Sequence, residues 1–287
     1  MPYILILAIF LNALIPVNTQ DTSELPSKIN SESVGISVTA KSALVIDKKS
    51  NKILFSKNKD KVLSIASITK LMSALVLLDR NLDWSDHVVI EKQDRKEGGR
   101  IYLGYGETVT VEDLFNLGLI ASDNQAITAL VRASGLTEDE FVDLMNEKSL
   151  EIQMKNSKFF DPTGLDPRNV STSLDLVILA KEVFEREELT NILSKKEYSL
   201  KEIKTKRFIR IFSTNKFFDF TDKKSEYLLL AGKTGYLDEA GYCFLSQFKD
   251  SQGNEVITVI LGSNSGKTRF QETKGLIWWI FNNWSWE

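Results

Sequence analysis

Ile65-Ala66-Ser67-Ile68-Thr69-Lys70-Leu71-Met72-Ser73-Ala74-Leu75-Val76-Leu77-Leu78 is the stretch whose reading decides the fold. From residue 71 to residue 78 it is apolar on nearly every side of a helix. Such a helix belongs at the centre of a domain rather than on its surface. At its start Ser67 and Lys70 stand three residues apart, which puts a hydroxyl and an amine on one helical face within hydrogen-bonding reach. Serine is a poor nucleophile until a base takes its proton. Lysine can be that base if burial or nearby positive charge keeps its amine neutral near pH 7. A helix N-terminus helps twice, by disfavouring the ammonium and by stabilising a developing oxyanion. The same Ser-x-x-Lys spacing recurs at Ser56/Lys59, Ser213/Lys216 and Ser246/Lys249, but only Ser67 opens a long apolar helix.

Working outward, two short apolar strands precede the helix, at residues 43–46 and 53–55, around a turn-rich 47–51. Helix-period patterns dominate the middle of the chain: one opens at Val111, and others cover 124–134, 138–152 and 171–185. Strand patterns return at 227–231, 241–248 and 256–262, with a hairpin turn at 250–254, and an aromatic helix closes the chain over 270–284. Strands at both ends with helices between them predict an α+β fold: one antiparallel sheet flanked by helices, with a helical subdomain inserted.

Composition narrows the chemistry. With 43% hydrophobic residues, 26% charged residues and a net charge of -3 over 287 residues, the chain resembles an ordinary globular protein able to bury a sizeable core. No basic patch invites nucleic acid; residues 201–210 alternate charge with apolar side chains and read as a solvated strand face. The single cysteine, Cys243, permits no internal disulfide and sits in an apolar run, so it reads as a buried small hydrophobe. The single histidine, His87, begins a strand pattern and reads as structural, so a Ser-His-Asp triad has no other histidine to use. No metal or other cofactor is expected. Residues 1–17 are apolar except for Asn12, like the core of a secretion signal, and short for a membrane span of about 20 residues. No Lys or Arg precedes them and no clean small-x-small site follows, so an uncleaved anchor or a buried helix are the alternatives. The expected organisation is a signal or anchor over 1–20, a polar Ser-rich linker over 21–37 and one catalytic domain over 38–287.

Two further motifs follow. Ser122-Asp123-Asn124 starts a helix, where Ser122 or Asp123 could simply be an N-cap. Lys233-Thr234-Gly235 comes after an apolar strand; its lysine can hold a substrate carboxylate, its threonine can add a hydrogen bond, and its glycine can let a substrate backbone approach a sheet edge. The bland alternative there is a turn with an exposed lysine.

Ser-x-x-Lys, Ser-Asp-Asn and Lys-Thr-Gly in that order form the motif set of penicillin-binding proteins and serine β-lactamases. The chain resembles, more narrowly, the low-molecular-mass D-alanyl-D-alanine peptidases, a family of carboxypeptidases and endopeptidases. The resemblance extends to Lys41-Ser42-Ala43-Leu44-Val45-Ile46-Asp47, to Phe160-Asp161-Pro162-Thr163-Gly164-Leu165 with Ser171-Thr172, and to Ala240-Gly241-Tyr242-Cys243, covering about residues 38–284. It implies a β-lactamase/transpeptidase-like fold, export from the cytoplasm, peptidoglycan stem peptides as substrate and β-lactams as inhibitors. It implies Ser67 as nucleophile and Lys70 as general base, with Ser122 and Asn124 relaying a proton and lining the cleft. Lys233 and Thr234 would bind the terminal carboxylate beside Gly235, and the backbone N–H groups of Ser67 and Tyr236 would form the oxyanion hole.

Two departures stand out. Leu237 occupies a position where the family usually has a small polar residue, and the chain ends just after the closing helix, which favours the short endopeptidase branch over carboxypeptidases with an extra β-domain. The last helix also carries Trp278, Trp279 and Trp284, with Trp286 beyond it, expected to pack on the sheet rather than to meet a membrane interface, although a membrane tether through the N-terminus is compatible with the sequence. A class A β-lactamase would show a downstream Glu-x-x-Leu-Asn, which is missing. An inactive wall-binding module would have lost part of the motif set, which is intact.

Overall fold

The computed structural model describes residues 25–29, 32–33, 35–96, 98–220 and 226–286. The apolar stretch 1–17, read as a signal or anchor, lies outside them. Among the described residues no helix is long and apolar enough to cross a membrane.

Five antiparallel strands form the central sheet: β1 (Ser42–Asp47), β2 (Ile53–Lys57), β3 (Tyr227–Leu237), β4 (Gly241–Asp250) and β5 (Glu255–Ser263). Their spatial order is β3-β4-β5-β1-β2, so the first two strands of the chain join the far side of a sheet completed by the last three. Helices α1 (Thr69–Asp79), α2 (Val111–Ile120), α3 (Asn124–Ala133), α4 (Glu138–Glu151), α5 (Ser173–Phe184) and α6 (Glu187–Leu193) fill the interval, and α7 (Gly266–Asn283) closes the chain. The expected α+β arrangement, with helices inserted between strands of one sheet, is the observed one.

The period-two alternation of a strand sends neighbours to opposite faces, and here each face has its own core. Leu44, Ile46, Leu245, Ile257 and Val259 face α1 to α5 in the larger core. Ala43, Val45, Phe244, Phe248 and Ile260 face α7 in the smaller one, with Leu276, Ile277, Trp279 and Trp284. The tryptophan cluster is divided: Trp279 and Trp284 are buried against the sheet, whereas Trp278 is 55% exposed. Helix α1 is buried continuously from Thr69 to Leu77, as an all-round apolar helix must be. The helix starts carry their own caps: Thr110 and Asp113 form a reciprocal capping box on α2, Thr137 and Glu140 another on α4, and Ser265 caps α7.

Several boundaries differ from the sequence expectation. Helix α7 starts at Gly266, four residues before its aromatic pattern, because Ser265 caps it there. Lys233-Thr234-Gly235 does not follow a strand as a turn; β3 continues through it to Leu237, pairing with β4 along its length apart from one bulge between Leu229 and Ala231. Residues 201–210 are not one strand face. Glu197–Lys201 and Phe208–Phe212 pair as a hairpin, and residues 202–207 form its turn, where Glu202 accepts from the N–H of Thr108 at 2.8 Å. The stretch read as a linker also contributes to the fold, since Ser27–Lys28 pairs with Trp284–Ser285 at the end of α7. His87 begins a short exposed strand, and Cys243 is wholly buried, where burial pushes its thiol up to about 11.

Candidate active site

Ser67 does not lie inside α1. It sits in a single 3-10 turn, Ala66–Ile68, that leads directly into the helix. Ala66 takes a positive φ of 47°, a conformation alanine adopts only when its surroundings impose it. Two glycines impose it. A Cβ on Gly164 (φ 81°) would lie 2.1 Å from the Ala66 carbonyl oxygen. One on Gly235 would lie 2.8 Å from the Ile65 carbonyl oxygen and 3.1 Å from the Ser67 nitrogen. The space cleared by Gly235 is therefore filled by the protein's own nucleophile turn, not by a visiting substrate backbone. The turn is wedged between a loop and β3, with Ser67 partly buried.

Lys70 follows on the first turn of α1, completely buried. Its Nζ donates to Ser67 Oγ at 3.0 Å, Asn124 Oδ1 at 2.7 Å and the Thr163 carbonyl at 2.6 Å. Burial lowers its pKa to about 7, while the carboxylates of Asp161 and Asp123 pull the other way. The amine is thus poised between its two forms at neutral pH. Burial does this, and the nearest charges oppose it.

Ser122-Asp123-Asn124 divides its labour. Asp123 is the N-cap of α3, its side chain accepting from the Ala126 N–H at 3.2 Å. Burial lifts its carboxyl to about 6. Ser122 is not a cap: it stands at φ 60° on the turn before Asp123, and its hydroxyl accepts from Lys233 Nζ at 2.8 Å. Asn124 points its carbonyl at Lys70 and donates through Nδ2 to the Gly98 carbonyl at 3.1 Å. Lys233 is 1% exposed, not the exposed lysine of a turn, and also donates to the Thr234 carbonyl at 3.0 Å. Burial, with Lys70 and Arg269 nearby, holds its pKa well below the ordinary lysine value. Gly235 lies between Thr234 and Tyr236, against the Ser67 nitrogen as described. Tyr236 is about half-exposed; its ring stacks on Tyr242 at 4.3 Å and its hydroxyl donates to Asp238 at 2.5 Å. Leu237, the departure from the family pattern, packs against the larger core.

The structure therefore gathers Ser67, Lys70 and Asn124 into one cluster and Ser122, Lys233 and Thr234 into a second, with Lys70 among the charges that act on Lys233. It adds residues that the motifs did not reveal. Thr214, leaving the hairpin, shares a 2.7 Å hydroxyl contact with Thr234. Arg269 on α7, nine-tenths buried, donates to the carbonyls of Gly235 at 2.9 Å and Cys243 at 3.2 Å. Neither carries a local sequence signal, since both reach the cleft through tertiary packing. Thr163 and Gly164 were within a recognisable loop, but not as partners of the base and the nucleophile turn.

A model of the family described as D-alanyl-D-alanine carboxypeptidase matches residues 27–265. Among curated proteins, a D-alanyl-D-alanine carboxypeptidase of Bacillus subtilis is 33% identical over 85% of this chain, which spans 62% of that relative's length. A D-alanyl-D-alanine endopeptidase of Haemophilus influenzae is 32% identical over 82% of this chain and 80% of its own length. Among solved structures, a penicillin-binding protein of Listeria monocytogenes in a cefotaxime-bound form superposes with a TM-score of 0.73 at 28% identity, covering 87% of this chain and all of the other. A match that runs through all three motifs, on a chain that folds them into two adjoining clusters, leaves a single assignment: this protein belongs to the D-alanyl-D-alanine carboxypeptidase family of serine peptidases.

Proposed function

We propose that the chain hydrolyses D-alanyl bonds in peptidoglycan stem peptides through an acyl-enzyme on Ser67. The observation that carries this reading is a fully buried lysine, poised near neutrality, 3.0 Å from the hydroxyl of a partly buried serine. In the neutral form Lys70 accepts the Ser67 proton as Oγ attacks the carbonyl of the penultimate D-alanine. The N–H groups of Ser67 and Tyr236 face the developing oxyanion, an effect worth about 3 kcal/mol per donor in comparable sites. Ser122, bridging to Lys233, passes a proton to the departing amine and regains one from the Lys70 ammonium. The proton taken from Ser67 thus leaves with the amine and Lys70 is neutral again, while Asn124 lines the cleft. Lys233 and Thr234 take the terminal carboxylate, with Gly235 setting their distance from Ser67. Water then cleaves the ester and restores Ser67. The relatives named as a carboxypeptidase and an endopeptidase support both a terminal and a cross-link cleavage at such a site.

A β-lactam presents a strained amide beside a carboxylate and acylates Ser67 in the same way; the cefotaxime-bound Listeria relative supports this. The substrate lies outside the cytoplasm, so the protein works there, with residues 1–20 as the export or tethering segment. Intact masses of wild type and Ser67→Ala after brief exposure to benzylpenicillin test the reading. A lasting adduct on wild type alone is expected. No adduct on a folded wild type, with the antibiotic intact, would sink it. Muropeptide digestion then assigns the bond: loss of one alanine marks a carboxypeptidase, and splitting of dimers marks an endopeptidase.

A further inference from the structure

Lys70 Nζ has three partners, and two of them, the Asn124 side-chain carbonyl and the Thr163 backbone carbonyl, can only accept. A neutral amine carries two hydrogens and one lone pair. With both hydrogens directed at the two carbonyls, the lone pair is left facing the third partner, Ser67 Oγ. The placement of those carbonyls therefore decides where the base points. Asn124 is fixed by α3 and by its bond to Gly98. Thr163 lies in an irregular loop, and a single carboxylate organises that loop.

One oxygen of Asp161 accepts from the N–H groups of Thr163 at 3.1 Å and Leu165 at 3.3 Å, and from the Thr163 hydroxyl. The other accepts from the N–H groups of Gly164 at 3.0 Å and Asp166 at 3.3 Å, and from Asn169 Nδ2 at 2.7 Å. The loop is also pinned to α1: Asn169 donates to Thr69 Oγ1 at 3.2 Å, and Ser73 donates to the Pro162 carbonyl at 2.5 Å. The same turn brings Gly164 against Ala66, behind the nucleophile.

We propose that Asp161 is a positioning residue for the catalytic base: its carboxylate locks the 161–166 turn so that the Thr163 carbonyl takes one N–H of Lys70 and the lone pair faces Ser67. This rests on the reading of Ser67 and Lys70 as nucleophile and base. Asp161 also faces Lys70 electrostatically, as does Asp123 from the N-cap of α3, while Lys233 faces it from β3. The Asp161 charge raises the Lys70 pKa, so neutralising it lowers that pKa and makes the free base available in more acidic solution.

The test is the second-order rate of acylation by benzylpenicillin from pH 5 to 9, read by intact mass, for wild type and Asp161→Asn. The amide keeps one acceptor oxygen and loses the charge. Its plateau rate is expected to fall about tenfold or more, because the base is no longer held on line, and its acidic limb is expected to move to lower pH. Asp123 is unchanged in both proteins, so its own titration is common to the two profiles. An acidic limb that stays in place or moves to higher pH, or a plateau kept at the wild-type level, overturns the proposal. A wholly structural aspartate would lower the melting temperature without moving the limb. If Asp161→Asn does not fold, Thr163→Val removes only the hydroxyl bond and keeps the charge: a several-fold lower plateau with an unmoved limb is expected, and an undiminished rate overturns the proposal. Failure of wild type itself to form an adduct sinks the serine-acylation reading along with the proposal, whereas a normal wild-type profile beside an unmoved Asp161→Asn limb removes the proposal alone.

Discussion

Lys70 and Lys233 lie close enough to act on each other's charge, one on α1 and the other on β3, and both are at most 1% exposed. Their surroundings differ in sign. Lys70 has three acceptors and lies in the field of two carboxylates, Asp161 and Asp123, which offset part of its desolvation and leave it near 7. Lys233 has two acceptors, Ser122 Oγ and the Thr234 carbonyl, and its charged neighbours are Lys70 and Arg269. Equal burial of the same side chain thus yields two devices. The first can lose and regain a proton at neutral pH. The second sits beside two other cationic side chains, and on the proposed function a bound carboxylate would draw Lys233 back towards its charged form.

The sharpest way to break this contrast is to remove each amine in turn. Lys70→Ala should reduce the acylation rate by about a thousandfold, the scale of a lost general base, with little change in affinity for a D-Ala-D-Ala peptide; stopped-flow acylation and equilibrium binding separate the two. If binding collapses while acylation of bound substrate persists, the roles are reversed. Lys233→Ala should act chiefly on KM, by about 10- to 100-fold for a substrate with a free carboxylate, as expected for a lost charge-assisted hydrogen bond. A methyl ester of the same peptide should be nearly indifferent to that change. An equal loss on both substrates would show that Lys233 does not read the carboxylate.

Gly164→Ala tests the wedge beneath the nucleophile rather than either lysine. Its Cβ would meet the Ala66 carbonyl and its φ of 81° disfavours a side chain, so a destabilisation of about 1–3 kcal/mol is expected, seen as a lower denaturation midpoint. An unchanged midpoint would mean that the loop yields freely.

Protonation links the contrast to stability. Lys70 has its pKa lowered on folding, from the ordinary lysine value of 10.5 to about 7, so the unfolded chain binds more protons between those values. Stability contributed by this site therefore rises with pH from about 7 towards 10.5, and the unfavourable burial of the ammonium is fully present below 7. Lys70→Met should flatten that part of the stability curve in chemical denaturation. A slope identical to wild type would place the proton elsewhere. The smallest effect is expected at Tyr236→Phe, which removes an exposed hydroxyl bonded to Asp238: activity should stay within about twofold, because the proposed oxyanion contact uses the backbone N–H.

Much of the fold was legible because its signals are local. The all-round apolar α1 and the apolar runs of β4 and β5 are each written within a few residues. Element ends were less so. The sequence pattern stops β3 at Ala231, where the apolar run ends, yet pairing with β4 carries it to Leu237 and makes Lys233-Thr234-Gly235 part of an edge strand. The hairpin at Glu197–Lys201 and Phe208–Phe212 pairs across a turn in which Glu202 binds Thr205 locally and Thr108 from a distant part of the chain.

The same division holds at the site. By itself the sequence determined the identities and order of Ser67, Lys70, Ser122, Asn124, Lys233 and Thr234, and placed Ser67 and Lys70 three residues apart; a 3-10 turn running into α1, rather than the helix alone, brings that pair to 3.0 Å. Only the tertiary structure decided which partners and which charges surround each of them. Ser122 and Lys233, 111 residues apart, meet at 2.8 Å. Lys70 has its pKa lowered because α1 is enclosed by other elements, and Arg269 and Thr214 reach the motif residues from elements that carry no motif. The physical reason is that a proton affinity, like a hydrogen-bond direction, depends on the water excluded and the charges gathered around a group, and those are properties of the packed chain rather than of any short stretch of it.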